Sequence, residues 1–297
     1  MELSPIALFA YNRPEHLNAA LKALAANPLA AESDLIIFSD GPKDAGSARS
    51  VAEVRDVAKS ATGFGSVQVI ERPSNAGLVA SITGGVRDLL ETHGRIIVLE
   101  DDLITAPGFL AYMNKALQTY AQHDQVMQVT GYMYPIDPPS EACFLPTISC
   151  WGWGTWKRAW DAYDADASAS KLVDSDAMLR KKFDLDGAYD YSGLLKRHLR
   201  GEISSWGVMW YLSVFARGGL VLHPPRSLVS NEGFDGSGSH AARQGREDDL
   251  GHVALDQSGK EIAYPQYVRV DEQAFDRVKR SLRRSHRGWR NLARRFL

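Results

Sequence analysis

The sequence predicts an α/β fold with a mainly parallel central sheet flanked by helices. Short apolar runs rich in β-branched residues alternate with amphipathic stretches at a spacing of ~30 residues, as right-handed βαβ units require. One run, Arg95-Ile96-Ile97-Val98-Leu99, is almost wholly apolar and reads as a strand buried on both faces. It stops in Glu100-Asp101-Asp102. Three adjacent carboxylates cannot follow a strand into a core unless they are paired or bound to a cation. They therefore belong at its carboxyl end, where open α/β sheets bind ligands.

The elements follow in order. Residues 5–11 form a first strand, Asn12-Arg13-Pro14 a turn, and residues 15–26 an amphipathic helix with proline suitably placed in its first turn. Residues 34–39 make a second strand, closed by the turn Asp40-Gly41-Pro42-Lys43. A helix over 48–61 leads to a third strand over 66–71, and Asn75-Ala76-Gly77 opens a long helix to His93. The tips Arg13, Asp40, Asn75 and Asp102 thus fall at one sheet edge, where a nucleotide would lie. Alternation sends Glu100 and Asp102 to one side of the chain and Asp101 to the other.

A helix over 107–120 and a strand over 125–133 follow, and then Pro135, Pro138, Pro139 and Pro146 mark an irregular connection. Cys150-Trp151-Gly152-Trp153-Gly154-Thr155-Trp156, with Trp160 beyond it, is either a flat aromatic platform for a sugar ring or a tryptophan-rich core plug. Helices are expected over 174–200 and 202–217, and a short strand over 219–223. Residues 231–240, Asn-Glu-Gly-Phe-Asp-Gly-Ser-Gly-Ser-His, form either a mobile lid or an ordinary surface loop.

Composition narrows the function. The chain has 297 residues, 44% hydrophobic and 24% charged, with a formal net charge of −2, an ordinary globular composition. Cys143 and Cys150, the only cysteines, are too few for a disulfide framework or a structural zinc site. Reduced thiols in a cytoplasmic protein are expected. No apolar run reaches the ~20 residues that span a bilayer, and the first ten residues lack the basic start of a leader. No glycine fingerprint follows the first strand and no P-loop occurs, which disfavours dinucleotide oxidoreduction and NTP hydrolysis. A diphosphate bound without a glycine cradle needs a cation, and hard oxygen ligands suit Mg²⁺ or Mn²⁺.

With these segments in place, the chain resembles GT-A fold (Rossmann-like) glycosyltransferases related to N-acetylglucosaminyltransferase I and its bacterial relatives. The resemblance runs over about four fifths of the chain, from Phe9-Ala10-Tyr11-Asn12-Arg13-Pro14 to His240. Val98-Leu99-Glu100-Asp101-Asp102 matches the family's acidic metal-binding motif, which implies Asp102 on the metal. Gly152-Trp153-Gly154-Thr155-Trp156 resembles the segment beside the donor sugar, which implies a role for Trp153. The resemblance also implies Arg13, Asp40, Asn75, Glu100 and Asp101 around the nucleotide sugar, and His240 in a lid touching the metal. The implied activity is metal-dependent, inverting transfer of a hexosyl or N-acetylhexosaminyl group from a nucleotide diphosphate sugar to a glycan or lipid-linked acceptor, as in polysaccharide biosynthesis. A sugar nucleotidyltransferase and an inactive sugar- or lipid-binding module are the rival readings.

One departure stands out. Where the family often has an aspartate base after the tryptophan corresponding to Trp206, this chain has Gly207. Glu202, Glu232 and Asp235 are the carboxylates that could serve instead. The expected organisation is a nucleotide-sugar-binding half over 1–134, an acceptor-side half of the same domain over 135–266, and a basic amphipathic tail over 267–297. The tail sets Phe275, Val278, Leu282, Trp289, Leu292 and Phe296 among nine basic residues, the pattern of an interfacial helix on anionic lipid. A helix packed on the domain gives the same pattern. Nucleic acid is not expected, because no other basic surface supports it.

Overall fold

The computed structural model describes residues 2–235 and 250–293, with side chains described to residue 284. The expected mainly parallel sheet flanked by helices is present. Its eight strands lie in the order β3-β2-β1-β4-β8-β6-β9-β7: β1 (Ile6–Ala10), β2 (Asp34–Ser39), β3 (Ser66–Glu71), β4 (Arg95–Glu100), β6 (Val126–Thr130), β7 (Cys143–Leu145), β8 (Trp153–Trp156) and β9 (Leu220–His223). Only β8 and β7 run against the rest. All of β1 and the middle of β4 are buried, as their unbroken apolar sequences demand, whereas the edge strand β3 is only half-buried. The chain passes to one side of β1 through β2 and β3, then crosses back to place β4 on the other side. That reversal is a topological switch point, and in open α/β sheets the crevice for a ligand lies beyond the carboxyl ends of such strands, here β1 and β4.

Helices α1 (Pro14–Ala25), α2 (Ala48–Lys59) and α3 (Leu78–His93) connect these strands. In α1, Leu17, Ala20, Leu21 and Leu24 recur at helical spacing and are all buried against the sheet. A second, two-stranded sheet pairs β5 (Leu103–Thr105) antiparallel with β10 (Val229–Asn231). Its register sets Asn231 opposite Leu103, so the chain after β10 returns to the acidic end of β4.

Several elements differ from expectation. The helix expected over 174–200 is three helices after α4 (Phe109–Thr119) and α5 (Lys157–Trp160): α6 (Ser170–Ser175), α7 (Ala177–Phe183) and α8 (Tyr191–Leu199). The break before α8 contains Leu185, Asp186 and Gly187, all at positive φ, a conformation no helix continues through. The helix expected from residue 202 begins at Trp206 as α9 (Trp206–Ala216), because the Ser205 hydroxyl accepts from Val208 N at 3.3 Å and caps it. Helix α9 is apolar all round and accordingly buried.

The tail forms one helix, α10 (Glu272–Ala293). Of the apolar residues of its first turns, Val278 and Leu282 are buried in the domain and Phe275 is partly buried against it. Lys279 Nζ lies 2.8 Å from Asp186 Oδ2, Arg283 donates to Asp186 O at 3.0 Å, and Arg277 donates to Asp137 O at 3.0 Å. Domain packing has used the apolar face there, and Trp289, Leu292 and Phe296 lie beyond the described side chains. Among the described residues no helix is long and apolar enough to cross a membrane. Cys143 and Cys150 are both free.

His223, at the end of β9, fastens the irregular connection. Its ring nitrogens lie 3.0 Å from Tyr132 O and 3.1 Å from Thr147 O, fully buried, and a neutral imidazole has one N–H for the two. Burial outweighs both carbonyls and holds its pKa down at about 4, against an ordinary 6.5. The unfolded chain therefore takes up this proton first as pH falls, so the stability His223 contributes is complete above 6.5 and lost between 6.5 and 4. Urea unfolding at pH 7 and pH 4.5 will show a difference smaller by about 2 kcal/mol in His223→Gln than in the native chain.

Candidate functional site

The crevice is built from three returning loops. After β1, Tyr11 donates its amide to Asp101 Oδ2 at 3.2 Å, and Arg13 sits just before Pro14, which starts α1. Proline fixes the helix start and so fixes where the arginine stem leaves the backbone. Arg13 Nη2 donates to Asp101 Oδ1, and to Asp102 Oδ2 at 2.8 Å. Burial works against the guanidinium charge, but the two carboxylates overcome it and hold its pKa above the ordinary value.

The three acids differ. Asp101 is buried, which with Asp102 raises its pKa to about 6 although Arg13 and the Tyr11 amide pull it down. Glu100 is pushed to about 8, first by burial and then by the charges of Asp102 and Asp101. Asp102, just past β4, keeps 13% of its side chain exposed with Arg13 on one oxygen, and Glu100 at the strand's end is half-buried by exposure.

Asp40 and Asn75 reach the same edge but turn inward. The buried Asp40 carboxylate accepts from Gly41 N and Ala76 N at 2.9 Å and from Gly77 N at 3.0 Å, and Asn75 Nδ2 donates to Gly41 O at 3.1 Å. Both thereby shape the loop that opens α3.

The third loop follows β10. Glu232 N donates to Asp102 O at 2.9 Å, and a Cβ on Gly233 would stand 2.1 Å from Asp102 Oδ2. Only glycine lets the chain ride this close over the carboxylate. The Glu232 carboxylate is oriented by Ser230 Oγ at 3.0 Å and His252 Nδ1 at 3.2 Å. Asp235 Oδ2 lies 3.2 Å from His16 Nε2 of α1. Phe234 meets the edge of Trp151, with ring centroids 5.9 Å apart.

Two expected residues stand elsewhere. Trp153 is 1% exposed and stacks on Trp206 at 5.1 Å, so its indole is core and presents no face to a ligand. Glu202 lies on the turn after α8, where Arg200 Nε at 2.7 Å and Arg197 Nε at 3.5 Å hold its carboxylate. His240 lies outside the described residues. Gly207 packs against Cys150: a Cβ there would stand 2.7 Å from the sulfur, so an aspartate at this position has no room. His16, Ser230 and His252 carry no motif and were invisible in sequence; the pairing of β10 with β5 brings Ser230 in, and His252 meets the Glu232 carboxylate.

A divalent cation fits this donor set on one condition. Among the described residues no cluster of three or more His, Cys, Asp or Glu side chains could close a cage around a metal ion. Asp102 offers a hard carboxylate oxygen, and Mg²⁺ or Mn²⁺ commonly takes one or two carboxylates with its remaining oxygens from substrate phosphates. The site suits a cation arriving with a phosphorylated ligand.

The sequence matches no family model and no curated protein. Among solved structures it is similar to the mannosyltransferase PcManGT from Pyrobaculum calidifontis, solved with GDP-Man and Mn²⁺, at 11% identity and a TM-score of 0.43 over 73% of this chain and 74% of that one. It is similar to S. aureus TarS at 11% identity and a TM-score of 0.40, over 76% of this chain but only 36% of TarS. A cytidylyltransferase from Leptospira borgpetersenii shares 12% identity and a TM-score of 0.35, over 59% of this chain and 65% of that one.

Proposed function

We propose that the chain transfers a sugar from a nucleoside diphosphate sugar to an acceptor hydroxyl, in a reaction for which Asp102 would hold Mn²⁺ or Mg²⁺. The observation that carries this reading is the meeting of β4 and the loop after β10. The Glu232 amide donates to the Asp102 carbonyl, so the loop that carries Glu232 lies against the acid that Arg13 holds at the sheet's reversal point. A cation bound there supplies charge neutralisation for the departing diphosphate. Arg13 binds phosphate oxygens, for which its planar donors are shaped. Tyr11, Asp40 and Asn75 hold the loops that flank the nucleotide, and Glu100 and Asp101 line its floor.

Glu232 is the base in this reading. Its carboxylate takes the acceptor's hydroxyl proton as that oxygen attacks the anomeric carbon and the glycosyl–phosphate bond breaks, a direct displacement that inverts the centre. Ser230 and His252 hold it in place, and Asp235 with His16 closes the loop over α1. The acceptor is a surface glycan or lipid-linked sugar.

Thermal-shift titration with UDP- and GDP-sugars in Mn²⁺ tests the reading, because a ligand that binds only the folded state raises its melting temperature. One donor will stabilise the protein and yield sugar transfer to a glycan acceptor. Pyrophosphate release from NTP and sugar phosphate would replace it with nucleotidyl transfer, and donor binding without turnover would make the chain a binding module. Glu232→Gln will lower kcat about a hundredfold with donor KM nearly unchanged, as expected for loss of a general base. Glu202→Gln will leave both parameters within about twofold, since its carboxylate is held by Arg197 and Arg200 on the turn after α8.

A further inference from the structure

The same guanidinium that fits a diphosphate now covers the cation's ligand. Arg13 Nη2 bridges Asp101 Oδ1 and Asp102 Oδ2, the latter at 2.8 Å, with 17% of the arginine side chain exposed against 4% for Asp101 and 13% for Asp102. We infer that Arg13 is a built-in competitor of the divalent cation at Asp102, displaced when a nucleoside diphosphate takes its guanidinium, so that cation and nucleotide bind cooperatively. This rests on the cation reading of the preceding section.

Three features support it. Arginine keeps its charge at every accessible pH, so the guanidinium does not leave Asp102 by losing its proton; a competing cation, or an anion that takes the guanidinium, displaces it. The two carboxylates are unequal holders. Asp101 is buried and also accepts the Tyr11 amide, which makes it the fixed anchor, whereas Asp102 stands in the more open position. The backbone at Arg13 is also tied down: its carbonyl accepts Leu17 N at 3.0 Å at the start of α1 and Pro14 follows it, so the exchange is confined to the side chain.

Linkage fixes the consequence. If nucleotide raises cation affinity by some factor, the cation raises nucleotide affinity by the same factor, and removing Arg13 brings that shared factor toward one. Arg13→Gln alone would strand Asp101 as a buried, unpaired charge, so the working variant is the charge-balanced pair Arg13→Gln/Asp101→Asn, with its folding checked by thermal melting.

Free Mn²⁺ is titrated against the full chain by electron paramagnetic resonance, with and without UDP or GDP. Without nucleotide, the double variant will bind Mn²⁺ at least about tenfold more tightly than the native chain, and adding Asp102→Asn will abolish this. Equal Mn²⁺ affinity in native chain and double variant, lost in both with Asp102→Asn, overturns the competitor role and leaves the cation site standing. No Mn²⁺ binding by any form, with or without nucleotide, removes the cation site and the competitor role together.

Discussion

Asp102→Asn will slow sugar transfer about a thousandfold, equivalent to roughly 4 kcal/mol of transition-state stabilisation. Asparagine keeps the shape of the side chain and one acceptor oxygen, and loses the charge on which a hard cation depends. The fold will hardly register the change, since Arg13 remains paired to Asp101 and Glu100 loses a repelling neighbour. The melting temperature will therefore stay within a few degrees of native while turnover collapses. Steady-state transfer and donor hydrolysis, measured in Mn²⁺ beside a thermal melt, separate the two. Because the lost charge acts on the leaving diphosphate, hydrolysis will fall together with transfer. Native turnover in this variant, with chelator present, would end the cation's part in the chemistry.

Asp40→Ala will destabilise the protein by about 3 kcal/mol, since three backbone N–H groups lose their acceptor at once and each unpaired donor costs ~1 kcal/mol or more where partly buried. Those donors, Gly41, Ala76 and Gly77, come from two loops, so the carboxylate is the clasp between the end of β2 and the start of α3. Asp40→Asn will lose about half as much, because its one oxygen still accepts. Urea denaturation of both variants gives the order.

What sequence made legible follows from periodicity. The strands β1 to β4 alternate with long helices, and β1, β2 and β4 carry enough consecutive apolar residues to announce burial; the acids at the end of β4 could then go only to the sheet's edge. The short strands β5, β7, β8 and β10 span three or four residues and have no period to read. That is why Glu232's backbone bond to Asp102 was not visible, although Glu232 itself stood out as a spare carboxylate. Trp153 shows a different limit: glycine and tryptophan side by side describe a ligand platform and a packed core equally well, and only strand pairing, which sets Trp153 opposite Val98, decides for the core. The tail repeats the lesson, since one amphipathic pattern serves lipid or protein. Asp184-Leu185-Asp186-Gly187 did carry a readable turn signal, and long helical composition on both sides masked it.

The insertion of β8 between β4 and β6 has a consequence for synthesis. While the chain emerges from the ribosome, β4 has β1 on one side and nothing on the other until residue 156 is out. For that interval the molecule exposes an apolar edge of unsatisfied amides and carbonyls, a template for pairing with another nascent chain. Truncation before Trp153 should accordingly yield aggregate, and expression of the full chain should gain from slower translation or added chaperone.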